Sequence, residues 1–359
     1  MAIPRFILAT VLLAFVPASM VFAAAKPATR GPEIYSQDPE ANDLFLKARE
    51  LVKISDPRSG GKLSNARAAI ELFDQAVKKD PNFALAYVEM ARAWMSLDYS
   101  DPDALPDSVT MPEARSDHRK ALEIDPKLAD AHLLAASIAY NYDFDWDMAG
   151  HDYEMALSLQ PGNAAAHASY AAYLNSMGRF DESLSEIAKA DAIAPSWSID
   201  FTTARTYYSM RNFSKAEEYC QKSLAKHDNV LCHVYLGFSY IAEGNRDKAL
   251  PELEIAQHFS KNFGAAAIQA YGFAMTGQRD KTEALLKRLF SGTEFGHIVS
   301  YRIAAVHLAL GDNTAALNWL DRAYAEHENW INQLKVDPVM DPLRADSRFQ
   351  ALMRKVGLN

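Results

Sequence analysis

An alanine followed five residues later by a proline recurs along this chain at nearly constant intervals. The last two intervals between these prolines are 35 and 34 residues. A fixed period of this length is typical of stacked supersecondary units, each of which buries its apolar face against its neighbours. The four pairs are Ala76 with Pro81, Ala121 with Pro126, Ala156 with Pro161, and Ala190 with Pro195.

A second landmark, a turn between two helical stretches, keeps the same period beyond the last of these prolines. Its successive starting residues lie 33, 33, 33 and 34 residues apart. Glycine is suited to a helix end that requires a left-handed residue, so we expect positive φ at each position, with some cost where arginine replaces glycine. The five turns begin at Gly178, Arg211, Gly244, Gly277 and Gly311.

Around each turn, small residues stand where two helices must cross closely, and large residues stand where a gap must be filled. In one unit Leu236, Gly237 and Tyr240 precede the turn, and Ala249 and Ala256 follow it. This pattern resembles the 34-residue helix-turn-helix motif of the tetratricopeptide (TPR) family. The resemblance implies a right-handed α-solenoid of seven or eight repeats. The clearer units have their first helix near 85–97, 130–142, 165–177, 198–210, 231–243, 265–276 and 298–310.

Composition agrees with an all-α fold. The chain is 49% hydrophobic, which is ample for a large core. Its apolar residues follow a 3.6-residue period, and no alternating run of β-branched residues predicts a strand. Residues 130–161 and 304–349 also resemble TPR arrays attached to bacterial winged-helix regulators, kinases and nucleotide cyclases. Those proteins carry an effector domain, whereas here we expect an export signal and no effector domain.

The N-terminus has the pattern of a secretory signal peptide. Arg5 precedes an apolar run over 6–16, and small residues end at Ala25. We therefore predict a signal peptide over 1–25, cleaved after Ala25, and a periplasmic or secreted protein. The alternative is an uncleaved anchor over 6–25, which would hold the repeats on the periplasmic side of a membrane.

Three further regions follow the signal peptide. Residues 26–40, rich in proline and glycine, are predicted to form a flexible linker, and 41–335 the TPR array. Residues 336–359 are predicted to cap the array with a helix over 342–356, because Asp341-Pro342 and Asp346 provide N-cap signals. Its apolar face would consist of Phe349, Leu352, Met353 and Val356.

Charge disfavours a nucleic-acid partner. The formal charge is −9, and removing 1–25, which holds one arginine and no acid, gives −10. Proteins that bind nucleic acid draw much of their affinity from lysine and arginine side chains that neutralise phosphates. The sequence therefore predicts no nucleic-acid partner.

Residues that imitate metal sites have simpler interpretations. The acidic stretch 143–154 resembles a calcium loop, but Met148 replaces the glycine of its sharp turn, so we read it as an acidic turn that begins a helix. His132 and His167 occupy equivalent positions one repeat apart, and we expect histidines at the edge of the core. No pattern of a catalytic nucleophile is present. We predict no enzyme activity, no cofactor, no metal and no small-molecule substrate.

The two cysteines are expected to remain unpaired. Cys220 lies midway along one helix, and Cys232 lies near the start of the next. The resulting axial offset is on the order of 9 Å, too long for a disulfide, so free buried thiols are expected.

The resemblance to TPR proteins implies a concave groove lined by the first helix of each repeat. We therefore predict a non-catalytic protein-interaction module that binds a protein or peptide in the groove. Alternatives are a structural subunit of a permanent envelope assembly and, with less support, an envelope enzyme or metal binder. Membrane contact is expected only if the N-terminal segment stays uncleaved. The predicted groove residues are Arg92, Tyr140, Asn141, Asn175, Phe201, Arg205, Tyr208, Phe238 and Gln269.

Overall fold

The described residues form an all-helical array. The computed structural model describes residues 34–55, 63–97, 107–259, 263–291 and 299–358, and within these ranges seventeen α-helices and no strand occur. The predicted all-α class is confirmed. The helices are α1 (Pro39–Ser55), α2 (Leu63–Lys79), α3 (Ala84–Met95), α4 (Asp107–Ile124), α5 (Ala129–Ile138), α6 (Trp146–Leu159), α7 (Ala164–Ser176), α8 (Phe180–Ile193), α9 (Trp197–Ser209), α10 (Phe213–Lys226), α11 (Val230–Ala242), α12 (Arg246–Phe259), α13 (Phe263–Met275), α14 (Arg279–Ser291), α15 (Ser300–Ala309), α16 (Asn313–Ala325) and α17 (Ser347–Val356).

Helices α1 to α16 pack as eight consecutive pairs, from α1 with α2 to α15 with α16. The odd-numbered helices pack against one another from α1 to α5 and from α7 to α15, and Tyr140, which follows α5, donates to the Ala172 carbonyl of α7, so these helices form one layer. This is the arrangement of a solenoid, in which every repeat contacts mainly its neighbours. The predicted signal peptide, its cleavage site and the possible anchor lie outside the described residues. Among the described helices, none is both long and apolar enough to cross a bilayer.

The turns within five pairs have the expected left-handed residue. Backbone N–H groups after the turn donate to carbonyls at the end of the preceding helix. One example is the hydrogen bond from the Arg179 N–H to the Leu174 carbonyl. The prediction of positive φ is confirmed, including at Arg211, where a side chain is accommodated. The φ values are 76° at Gly178, 60° at Arg211, 76° at Gly244, 79° at Gly277 and 81° at Gly311.

The acidic stretch after α5 is a helix start, as predicted. A five-residue π-helical turn, Ala139–Asp143, continues α5, and Phe144 then adopts a left-handed conformation with φ of 53°. The side chain of Asp145 accepts a hydrogen bond from the Met148 amide and so caps α6.

Histidines link the two helices of several pairs. His132 Nδ1 lies 2.7 Å from a carboxylate oxygen of Asp152, and its Nε2 lies 3.0 Å from the Pro126 carbonyl oxygen. His167 makes the same two contacts, 2.5 Å to Glu186 and 2.9 Å to the Pro161 carbonyl. In both histidines each ring nitrogen faces an acceptor, which fixes the ring between the two helices of its pair. The histidines lie at the edge of the core, as the sequence predicted.

His233 repeats this link in α11. Its Nδ1 lies 2.5 Å from Glu252, and its Nε2 lies 3.1 Å from Asp228. Burial opposes the charged ring, but hydrogen bonds and charge from Glu252 and Asp228 outweigh burial and raise the pKa of His233. In the intervening repeat the polarity is reversed, since Asp200 in α9 pairs with Lys222 and Lys226 of α10.

Both cysteines are buried and free, as expected. The Cys220 and Cys232 thiols nevertheless lie near enough to influence each other's ionisation. This contact, followed by burial, raises the pKa of Cys220 well above its ordinary value. The proximity of the thiols is due to the connection between α10 and α11. The side-chain amide nitrogen of Asn229 lies 3.2 Å from Ser223 Oγ. The connection after α10 therefore runs back beside that helix before α11 begins.

The C-terminal helix begins later than the sequence suggested. Asp346 caps α17 by accepting from the Arg348 amide at 2.7 Å, so the helix starts at Ser347 and not at 342. Pro342 belongs to a separate 3-10 helix, Pro338–Leu343, which Asp337 caps. The last paired helix ends at Ala325. The array boundary at 335 stays a prediction.

Gly237→Ala should destabilise the fold, because the helices of its pair meet there without room for a methyl group. A Cβ at this position would lie 2.4 Å from Leu253 Cδ2 and 3.3 Å from the Ala249 carbonyl oxygen. We expect a loss of about 1–3 kcal/mol in the free energy of unfolding, measured by urea denaturation. Gly162→Ala is the matched control, since a Cβ there meets nothing within 4 Å and φ is not positive. Equal effects of the two substitutions would contradict close packing at Gly237.

His233→Asn should destabilise the protein in a pH-dependent manner. Because the folded pKa of His233 is raised, the ring's contribution is fully present below its unfolded pKa and is lost as pH rises through the folded pKa. We expect a loss of about 1 kcal/mol at pH 5.5 that shrinks at pH 9, measured by denaturation at both pH values. Exposed His151→Asn serves as control. A loss independent of pH would mean that the ring contributes packing alone.

Candidate functional site

The chain leaves the repeat pattern after α16 and crosses the layer of odd-numbered helices. We call residues 327–343 the inner segment. It contains two 3-10 helices, Asn329–Gln333 and Pro338–Leu343. Its contacts lie on the π-helical turn after α5 and on α7, α9, α11 and α15. The face that the sequence predicts as a peptide groove therefore holds a peptide segment of the chain itself.

A cluster of neutral polar side chains joins the inner segment to the third and fourth helix pairs. Gln333 Nε2 donates to Ser176 Oγ at 2.8 Å and lies 3.4 Å from the hydroxyl of Tyr140. Tyr140 and Ser176 are themselves 2.7 Å apart. Beside them, Asn332 Nδ2 donates to Asn141 Oδ1 at 3.4 Å. All five side chains are buried, so each bond replaces one that water would otherwise make.

A buried carboxylate anchors the middle of the inner segment. The Tyr301 hydroxyl donates to one oxygen of Asp337 at 2.9 Å, and the Val339 amide donates to the other at 3.0 Å. Burial raises the pKa of Asp337, although the Val339 amide and the charge of Arg302 favour its ionised form. The Arg302 guanidinium lies 3.7 Å from the ring centre of Trp330, an arrangement that favours the buried cation.

Aromatic side chains of the odd-numbered helices surround this carboxylate. Tyr208, Tyr235 and Phe238 line a small pocket together with Trp330 and Asp337. The Tyr208 and Tyr235 rings meet edge to face, with centroids 5.0 Å apart. Burial raises the pKa of Tyr208 well above its ordinary value and that of Tyr235 to about 12, so both hydroxyls are neutral donors at physiological pH.

Ionic contacts hold the outer edge of the inner segment. The Arg211 guanidinium pairs with both oxygens of Asp341, at 2.5 and 3.1 Å. Arg344 donates to the carbonyls of Leu334 and Asp337, at 2.9 and 3.0 Å. The two members of the Arg211 and Asp341 pair are 40% and 43% exposed, so it contributes little energy and serves mainly to fix position.

The end of the chain closes onto the third helix pair. His327 Nδ1 donates to the Tyr142 carbonyl at 3.0 Å, and its ring stacks on Phe144. Trp146 Nε1 donates to the carbonyl of Val356, the last residue of α17, at 2.7 Å. The chain after the last helix pair is therefore tied to the third helix pair.

Apolar side chains of the inner segment complete the main core cluster. Ile331, Leu334, Met340 and Leu343 are all 0% exposed. Burying such a side chain stabilises a protein by about 1.5–3 kcal/mol. Burial of these four side chains stabilises the fold more than the polar contacts of the inner segment do. The inner segment is therefore part of the folded core and not a loosely attached tail.

The predicted groove residues divide into three groups. Tyr140, Asn141, Tyr208 and Phe238 meet the inner segment. Asn175, Phe201 and Arg205 are buried in the same layer. Asn175 donates to Ser209 at 3.2 Å, Phe201 packs on Tyr235, and the charge of Arg205 acts on Tyr140.

The remaining two predicted residues lie outside this contact. Arg92 bridges Glu89 at 2.8 Å and Asp130 at 3.1 Å, which links α3 to α5. Gln269 is half-buried on α13. Neither residue has a recorded hydrogen bond to the inner segment.

Sequence reasoning missed the residues that fill the groove. One signal was available, since residues 327–343 are rich in large apolar residues yet lack the small residues and turn of a TPR unit. An apolar stretch outside the repeat needs its own place in the core. The missed side chains are Ser176, Tyr235, Tyr301, Arg302, Trp330, Asn332, Gln333 and Asp337.

The eight helix pairs, the left-handed turns and the close crossings define a TPR solenoid. No protein-family model matches the chain. The type IV pilus assembly protein PilF of Pseudomonas aeruginosa is 31% identical over 120 residues, which are 33% of this chain and 47% of that protein. The match therefore spans less than half the length of that relative.

Solved structures with the same fold include two larger likenesses. The type IV pilus biogenesis factor PilW superposes with a TM-score of 0.50 at 18% identity, covering 61% of this chain and 93% of that chain. Yeast Tom70 superposes with a TM-score of 0.53 at 14% identity, covering 94% of this chain and 72% of that chain. These likenesses confirm the TPR fold that the sequence predicted.

Gln333→Ala should destabilise the protein more than an ordinary surface substitution. It removes the hydrogen bonds that Gln333 donates to Ser176 Oγ and to Asn332 Oδ1 and leaves a buried gap beside them, which costs about 1–3 kcal/mol in the free energy of unfolding. Gln221→Ala, at an exposed site where the amide donates to Glu217 one turn away, is the matched control, with a loss under about 0.5 kcal/mol. Urea denaturation of both variants measures the difference. A loss at Gln333 no larger than at Gln221 would contradict the polar cluster.

Proposed function

We propose that this chain is a non-catalytic protein-interaction module of the bacterial periplasm or cell envelope, and that its odd-helix face recognises a protein or peptide. The observation that carries the proposal is the inner segment itself. That face already binds a peptide segment through amides, aromatic rings and arginine, the side chains that dominate recognition surfaces.

The nine predicted residues remain the proposed contact set. Seven of them lie in or beside the site of the inner segment, and Arg92 on α3 and Gln269 on α13 belong to the same layer of helices. The acidic charge of the mature chain supports a protein partner over nucleic acid.

The names of the relatives support a role in an envelope assembly. PilF is named as a pilus assembly protein and PilW as a pilus biogenesis factor. We propose that this chain is exported by the signal peptide over 1–25 and acts beside such an assembly. An uncleaved anchor over 6–25 is the alternative, and Edman sequencing of the envelope form distinguishes the two, since cleavage predicts an N-terminus at Lys26.

A permanent structural subunit is the second candidate function. It is favoured by one observation, the occupation of the odd-helix face at α7, α9, α11 and α15 by the inner segment. Such a subunit would use its outer, even-numbered helices.

Site-specific photocrosslinking should separate the two functions. A photoreactive residue is placed at Arg92 or Gln269 on the odd-helix face, or at exposed Glu218 on α10 as the matched outer position. In cells, groove recognition predicts one partner band from the first two positions and none from Glu218. A band from Glu218 alone, with a partner that co-purifies in equal amounts at high salt, would contradict groove recognition and favour the permanent subunit.

A further inference from the structure

The inner segment makes contacts of the kind that a bound partner would make. Its side chains present two adjacent amides at Asn332 and Gln333, an aromatic ring at Trp330 and a carboxylate at Asp337. Each meets a complementary group of the odd-helix layer. Between them, the apolar residues Ile331, Leu334 and Met340 are fully buried.

The contact between the inner segment and the groove combines an apolar centre with polar groups. Its apolar side chains belong to the same core cluster as those of the repeats. Around them lie the amide hydrogen bonds of Asn332 and Gln333, the Arg302 cation over the Trp330 ring and the exposed ionic pair of Arg211 and Asp341. An apolar centre with a polar rim is the arrangement of an interface between separate proteins.

We propose that residues 327–343 are the groove's own ligand in cis, and that the partner is a segment of the same chemistry. Such a segment carries adjacent side-chain amides, a carboxylate four residues later and apolar side chains between them, and it enters when the inner segment leaves. This proposal rests on the proposed function and adds the partner's chemistry and the control of its access.

Tethering makes the inner segment a strong competitor. A short connection holds a ligand at an effective concentration in the millimolar range. A partner can bind only those molecules whose groove is open. Its apparent affinity is therefore its intrinsic affinity multiplied by the open fraction. Partner capture by the full chain is weak until the inner segment is loosened.

Native-state hydrogen exchange of the full chain tests whether the inner segment can leave. The amides of Ile331, Leu334, Val336 and Met340 donate hydrogen bonds within the inner segment and report on its release. We expect these amides to exchange through a local opening. Its free energy should be lower, and should depend less on denaturant concentration, than that of the opening that exposes the amides of α11. Exchange of these amides only by the global unfolding that opens α11 would overturn the proposal.

A peptide added in trans tests whether the groove selects this chemistry. The probe is a fluorescein-labelled peptide of residues 327–345, titrated with the full chain and followed by anisotropy. We expect Asn332→Ala/Gln333→Ala to bind it at least tenfold more tightly than the unmodified chain, because the cis copy is weakened while the groove stays intact. Arg354→Ala, at an exposed position on α17, should bind like the unmodified chain.

Two further readings make the peptide result decisive. Protection of α11 in hydrogen exchange shows that the double variant is folded. A folded variant that opens the inner segment yet binds the peptide no better than the unmodified chain would overturn the proposal. A probe peptide with alanine at both amide positions should bind tenfold more weakly, and equal binding would also overturn it. Neither experiment involves export or a cellular partner, so its failure is separate from that of the photocrosslinking.

Discussion

The spacing between consecutive repeats depends on one leucine wedged between two glycines. Leu253 of α12 is fully buried, and a Cβ on either Gly237 of its own pair or Gly272 of the next would lie within 2.7 Å of its side chain. The absence of two methyl groups therefore sets how closely α11, α12 and α13 approach. Small changes in this spacing accumulate along a solenoid.

The regular part of the fold was predictable because its signals are local. A left-handed turn favours glycine, and a close crossing favours a small residue, so both recur with the repeat and can be read from one sequence. Even Arg211, where glycine is missing, retains the expected conformation with φ of 60°. Its side chain gains the contact with Asp341, which explains why a residue with a side chain suits this turn.

The polar links within the pairs were less predictable. His132 and His167 could be placed at the core edge, yet their acceptors Asp152 and Glu186 lie 20 and 19 residues later, on the facing helix. That separation becomes a signal only once the pairing of the helices is known. The reversed pair at Asp200 and Lys222 shows that the position requires a polar link and tolerates either order of charge.

The content of the groove was not predictable, because it depends on contacts between residues far apart in the chain. Gln333 meets Ser176 across 157 positions, and His327 meets Tyr142 across 185. No local pattern specifies such a pairing. Tyr140 and Asn141 of the predicted face pair with amides of the same chain, and their role toward a partner stays a prediction.

A filled groove changes what determines specificity. Apolar burial of the kind seen at Ile331 and Leu334 stabilises any bound segment of similar shape. It therefore distinguishes poorly between competing peptides. The polar groups discriminate more sharply, because a competitor without an amide at the place of Gln333 forfeits the buried hydrogen bond to Ser176 Oγ. On the proposal that the inner segment is a ligand in cis, its amides exclude most apolar peptides, and its tether sets the affinity that a matching partner must exceed.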